Sequence, residues 1–133
     1  MSESANIDDF LVQARSGLDR VQPVDLPSEL AAGALLVDTR PVEQRTRDGE
    51  LPGAVIIDRN VLEWRLDPTC PHHIPEASDP GLRIIVVCNE GFSSSLAAAT
   101  LRQIGLHRAT DLAGGFQAWR RLQAGSGTDD GDG

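Results

Sequence analysis

Three apolar runs constrain this chain most. Residues 34–38 read Ala-Leu-Leu-Val-Asp, residues 54–58 read Ala-Val-Ile-Ile-Asp, and residues 83–88 read Arg-Ile-Ile-Val-Val-Cys. None alternates apolar with polar residues, so none has a face suited to water. This is the pattern of strands buried on both sides, as in a parallel sheet. Short helical patterns lie between the runs, which implies helices on both faces of that sheet. Sheets of this kind bind ligands beyond the carboxyl ends of their strands. There the three runs deliver Asp38, Asp58 and Cys88, a convergence of polar groups that marks a site.

The rest of the chain fits one domain. Its 133 residues suffice for a single core, and 40% hydrophobic with 24% charged residues is an ordinary globular balance. Periodicity predicts a first helix over residues 7–21, with Ile7, Phe10, Leu11, Ala14, Leu18 and Val21 on one face. Val24-Asp25-Leu26 reads as a short edge strand and residues 27–30 as a brief helix opened by Pro27. Residues 41–48 form a charged helix, and Asn60 is placed to cap a short helix ending at Leu66. Residues 67–82 hold four prolines and no periodicity, so they are expected to be a mobile loop or a functional flap. A helix over residues 94–103 stops at Gly105. Residues 109–112 are a further short strand, and a last helix from Gly115 to Leu122 carries Phe116 and Trp119 inward. The domain is therefore expected over residues 7–123, between a disordered start (1–6) and a disordered, Gly- and Asp-rich tail (124–133).

The net charge of −8 repels phosphate backbones and anionic membrane surfaces, so neither nucleic acid nor membrane is an expected partner. No apolar run approaches the ~20 residues of a membrane span. The acidic start of the chain lacks the pattern of a secretory signal. Two cysteines without a spacing framework argue against a disulfide-stapled fold. The expected location is cytoplasmic and the expected state monomeric.

Cys88 is the candidate nucleophile. It ends a buried strand and is followed by Asn89-Glu90-Gly91-Phe92-Ser93-Ser94-Ser95, where a helix begins. A helix start supplies unpaired N–H groups and partial positive charge, both of which favour thiolate over thiol. The alternative is a buried structural cysteine.

Four segments together resemble the rhodanese-like superfamily: Leu36-Val37-Asp38-Thr39-Arg40, Gly49-Glu50-Leu51-Pro52-Gly53-Ala54, Cys88-Asn89-Glu90-Gly91-Phe92-Ser93-Ser94, and Leu112-Ala113-Gly114-Gly115-Phe116-Gln117-Ala118-Trp119. The resemblance implies a five-stranded parallel sheet flanked by helices. It implies a sulfurtransferase in which Cys88 takes a sulfane sulfur, becomes a persulfide and passes the sulfur on. The expected partners are thus a small-molecule or protein sulfur donor and acceptor. No metal or organic cofactor is required. Asn89, Glu90, Gly91, Phe92, Ser93 and Ser94 would form the anion-binding cradle. Gly91 suits a position needing unusual dihedrals; the alternative is a plain turn glycine. Ser94 is placed to cap the next helix while Ser93 faces the loop, and capping alone is the alternative for both.

The loop departs from the family's commonest form, which carries an arginine near its closing end; here that end reads Phe92-Ser93-Ser94. Glu90 adds a carboxylate. A unit charge ~7 Å away at an effective dielectric of ~40 is worth about 1 kcal/mol. Hydrogen bonds to a charged group are worth ~1.5–3 kcal/mol each, so several loop amides outweigh Glu90. An incoming dianion such as thiosulfate still meets Glu90 without a loop arginine, so thiosulfate is expected to be a poor donor. Arg59 and Arg65 follow the second apolar run and are candidates to border the crevice, against the alternative of solvated surface residues. Asp38 and Arg40 are expected to pair as structural support.

Other chemistries fit less well. A cysteine phosphatase needs Cys, five residues, then Arg to clamp phosphate, and residue 94 is Ser. Cys70, His72 and His73 lack the second half of a zinc site. A Cys70–Cys88 redox pair, or an arsenate-type thiol enzyme, requires residues 67–82 to fold over the site. A non-catalytic binding module is the remaining alternative.

Overall fold

The computed structural model describes residues 5–129. Four strands, β1 (Leu35–Asp38), β2 (Val55–Ile56), β3 (Ile84–Val87) and β4 (Ala109–Asp111), form one parallel sheet in the order β2-β1-β3-β4. Six helices surround it: α1 (Ile7–Ser16), α2 (Leu26–Ala31), α3 (Val42–Asp48), α4 (Leu62–Leu66), α5 (Ser93–Gln103) and α6 (Gly115–Asp129). Successive side chains on a strand point to opposite faces, and this divides the apolar runs between two cores. Val37, Ile84 and Val86 join Leu62, Leu66, Ala97 and Leu101 on the face covered by α4 and α5. Leu36, Ile85 and Val87 join Leu26, Leu112 and Phe116 on the face covered by α2 and α6. All four residues of β3 are buried. Each such Ile or Val contributes roughly 1.5–3 kcal/mol of burial, which is why the run has no polar position.

The expected five strands are four. Residues 24–26 do not form an edge strand: Pro23–Asp25 is a single 3-10 turn that leads into α2. Pro23 has no N–H to give a ladder, and Val24 stays 68% exposed. The place beside β4 is taken by Val21, in an isolated parallel bridge to Leu112. The helix predicted over residues 7–21 accordingly ends at Ser16, with Gly17 as its C-cap, and the chain then straightens to reach that bridge. The second apolar run is also less buried than expected. Only Val55 and Ile56 pair, with β1 alone, and Ile56 stays half exposed on the sheet edge. Asp58, not Asn60, caps the turn that follows, accepting from the Asn60 N–H at 2.7 Å.

Residues 67–82 are packed rather than flap-like. Ile74 and Ala77 are buried with Leu62 and Leu66, the Ile74 N–H bonds the Arg65 carbonyl, and the segment runs to the entry end of β3. α6 extends through Asp129, so residues 124–129, expected to lack structure, continue that helix. Asn6 caps α1; residues 1–4 and 130–133 of the two expected disordered ends lie outside the described residues.

Strand register sets up the site. Asp38 pairs beside Val87, and Asp111 beside Val86. Asp38, Cys88 and Asp111 therefore emerge together at the carboxyl end of the sheet.

Candidate active site

The chain leaves β3 at Cys88 and must reverse before α5 starts at Ser93. Gly91 makes the reversal possible, with φ +87, a backbone state that side chains strain. The turn wraps the Cys88 sulfur: the Gly91 N–H donates to Sγ at 3.1 Å and the Ser94 N–H at 3.3 Å. The second donor belongs to the first turn of α5, where amides have no partner within the helix. Cys88 is 7% exposed and lines an open crevice of about 370 Å³ with Thr39, Arg40, Arg59, Glu90, Phe92 and Ser93. The sulfur is thus held by two main-chain donors, and Cys88 forms part of the crevice wall.

The outside of the loop is equally well held. The Phe116 N–H of α6 donates to the Cys88 carbonyl at 2.9 Å and the Gln117 N–H to the Asn89 carbonyl at 3.0 Å. The Gln117 side chain donates to Asn89 Oδ1 at 3.0 Å. A Cβ on Gly115 would lie 2.6 Å from the Cys88 carbonyl oxygen, so the absence of a side chain on Gly115 lets α6 approach this closely.

Asp38 and Arg40 form a buried ion pair, 2.9 Å between Arg40 Nη2 and Asp38 Oδ2. The guanidinium also donates to the Gly49 carbonyl and lies 3.7 Å over the Phe116 ring. Its Nη1 has no hydrogen-bond partner. The pair ties the end of β1 to the loop before β2 and to α6, and Arg40 contributes to the crevice wall. Arg59 also lines the crevice, bonded to Glu63 at 2.9 Å. Arg65 does not join it; its guanidinium bonds the His72 carbonyl on the loop after α4.

The six cradle residues divide. Glu90, Phe92 and Ser93 are exposed and face the crevice with Asn89. Ser94 does not cap α5: Phe92 is the N-cap, without a side-chain bond, and the Ser94 hydroxyl donates to Asp111 Oδ2 at 2.7 Å. Cys70 lies on the packed 67–82 loop, where its sulfur accepts from the His72 N–H. That loop does not fold over Cys88. Among the described residues no group of three His, Cys, Asp or Glu side chains is placed to hold a metal, and no helix is long and apolar enough to cross a membrane.

Asp111, Arg15 and Arg20, which the sequence did not single out, complete the site with Ser95. Asp111, fully buried, accepts from Ser94, from Ser95 at 2.8 Å and from Arg20 Nε at 2.8 Å. The Gly91 carbonyl accepts from Arg15 Nη2 at 2.8 Å and Arg20 Nη2 at 3.0 Å. Asp111 ends a strand just as Asp38 and Cys88 do, which was a signal available in the sequence. The two arginines carried none.

Cys88 thus follows a buried strand and accepts from one amide of the turn and one of the first turn of α5, and comparison with known proteins gives the family. The rhodanese-like domain model matches residues 22–122, and the chain belongs to that family. A thiosulfate sulfurtransferase, GlpE of Stutzerimonas stutzeri (strain A1501), is 33% identical over 101 residues, 76% of this chain and 84% of its own. An adenylyltransferase and sulfurtransferase of Zea mays, MOCS3-1, is 33% identical over 87 residues, 65% of this chain; the match spans only 18% of that longer protein. Among solved structures, RPA3614 of Rhodopseudomonas palustris CGA009, described as of unknown function and a possible tyrosine phosphatase, superposes with a TM-score of 0.80. It is 28% identical, with 92% of this chain and 95% of that one covered.

Proposed function

We propose that the protein is a sulfurtransferase that carries sulfur as a persulfide on Cys88. The observation that carries this reading is the sulfur itself, which accepts two main-chain N–H bonds while lining an open crevice. In the first half-reaction the Cys88 thiolate attacks the sulfane sulfur of a donor. A new S–S bond forms, and the donor's bond to that sulfur breaks with its electron pair leaving on the donor residue, sulfite in the case of thiosulfate. In the second, an acceptor nucleophile such as cyanide or a thiolate attacks the outer sulfur, and the Cys88 thiolate departs. No net oxidant or reductant is consumed. The Gly91 and Ser94 amides stabilise the anionic sulfur in the resting and persulfide states. The two named sulfurtransferases among the relatives support the reaction class.

A phosphatase, as suggested for RPA3614, needs a guanidinium at the closing end of the loop to grip phosphate on two oxygens. Ser94 stands there and turns to Asp111, so sulfur transfer is the better fit. Thiosulfate is proposed as a poor donor, because Glu90 faces the crevice, and a persulfide of a small thiol or protein as the better one.

Mass spectrometry after incubation with sulfane donors tests the reading. One added sulfur is expected on Cys88, reversed by cyanide and lost in Cys88→Ser. An enzyme that never gains the sulfur under any donor would remove the assignment and leave a binding module.

A further inference from the structure

α1 precedes the segment that matches the family model. It lies against α5, yet none of its residues is buried, and Ile7, Phe10 and Val12 are 64%, 49% and 69% exposed. Of its apolar residues only Leu11 and Ala14 are half-buried, so apolar burial accounts for only part of its docking. Its last turn also places Arg15 against the reactive loop: Nε donates to the Ser95 hydroxyl at 2.9 Å, and Nη2 to the Gly91 carbonyl at 2.8 Å. The guanidinium also lies 5.7 Å from the Phe92 ring centroid. Arg20, after the helix, reaches the same carbonyl at 3.0 Å and grips the buried Asp111 with two bonds, at 2.8 and 3.1 Å. Both arginines precede the segment that matches the family model, which begins at residue 22.

We propose that Arg15 and Arg20 are positioning residues for Cys88. By holding the Gly91 carbonyl from behind, they aim the Gly91 N–H at the sulfur, and with Asp111 they leave one net positive charge behind the thiolate, in place of the arginine that the loop lacks at residue 94. The inference rests on the reading of Cys88 as a working thiolate.

The physical case has two parts. A glycine has an unusually free backbone, so a loop turning on Gly91 keeps its N–H aimed only if something fixes the residue. Two guanidinium donors converge on its carbonyl, and hydrogen bonds from charged donors are roughly twice as strong as neutral ones. The second part is charge. Two arginines against one carboxylate sum to +1 on the protein side of the sulfur. On the crevice side stand Glu90, Arg59 and Arg40, the last two already bonded to Glu63 and Asp38.

The test uses the full chain with Cys70→Ser, so that only Cys88 is alkylated. Alkylation rate against pH is measured for this protein and for Arg15→Gln, Arg15→Lys and Arg20→Gln. Deuterium exchange of the peptide spanning residue 91 is followed in each, with thermal melts as a check on folding. Arg15→Gln is expected to raise the midpoint of the rate curve by about one pH unit, the size of a unit charge at ~7 Å and an effective dielectric of ~40, and to speed exchange in the loop. Arg15→Lys keeps the charge and is expected to restore most of the midpoint but not the exchange protection. Arg20→Gln also strands Asp111, so it is expected to lower the melting point as well. A parent protein that alkylates like a free thiol would remove the reading of Cys88 as an active thiolate. A parent with an activated thiol whose curve and loop exchange are both unchanged in Arg15→Gln would overturn this inference alone.

Discussion

The sharpest consequence of the loop geometry concerns Gly91→Ala. A methyl group there suffers twice. The backbone sits at φ +87, a state that costs a non-glycine residue ~1–3 kcal/mol. The added Cβ would also lie 2.7 Å from the Gly114 nitrogen and 3.1 Å from the Gly115 nitrogen. These are main-chain atoms at the entry to α6, where the Phe116 and Gln117 amides hold the loop, so neither side can yield cheaply. Overpacking of that kind adds ~1–3 kcal/mol. The total is about 2–6 kcal/mol, a large share of the 5–15 kcal/mol that keeps a domain folded. Gly105→Ala is the matched control. Its φ is +103, and nothing lies within 4 Å of the new methyl, so it loses only the dihedral part. Urea unfolding of both variants separates the terms: Gly91→Ala is expected to be less stable than Gly105→Ala by about 1–3 kcal/mol. Cys88 in Gly91→Ala should also alkylate more slowly at neutral pH, because relief of the clash moves the Gly91 N–H off the sulfur. Equal stability in the two variants, together with unchanged alkylation, would show that the loop does not rest on the glycine pair.

Two further outcomes follow from charge. Glu90→Gln is expected to raise kcat/KM for thiosulfate by up to about fivefold, with a smaller change for a persulfide donor and an effect that fades at high salt; high thiosulfate turnover that is the same in both proteins would refute the role given to Glu90. Asp48 is held at about 2 by its hydrogen bond to Arg47, with Gln117 and Arg120 adding to it. A carboxylate with a depressed folded value stabilises the fold above its unfolded value, ~3.9, and loses that contribution as pH falls towards 2. Asp48→Asn should therefore flatten the melting temperature between about pH 4 and pH 2; an acid limb as steep as in the parent would count against the pairing.

What the sequence revealed and what it concealed have physical causes. Continuous β-branched runs admit few solutions, so β1 and β3 were legible and Cys88 fell at a strand end, where the structure places it. The Cys88–Ser94 turn was legible because its geometry is local. β2 was overread, since an apolar run does not distinguish an edge from the middle of a sheet, and Ile56 faces water. The missing fifth strand turned on Pro23, which has no N–H to give a ladder, and Val24 stays largely exposed. Ser94 looked like a helix cap because the Asp111 that claims its hydroxyl is 17 residues away. Arg15 and Gly91 are 76 residues apart, and a contact of that span leaves no periodicity or spacing to read.

Gly91, Gly114 and Gly115 lie close across two segments that the sheet brings side by side, and the Cys88–Ser94 turn takes its shape from that interlock. A transplant of residues 88–95 alone into a foreign scaffold would therefore carry the thiol but not its mould. A graft that keeps this geometry must move the turn and the entrance of α6 as one piece, because the backbone at Gly91 leaves no room for a side chain on Gly115, nor that at Gly114 and Gly115 for one on Gly91.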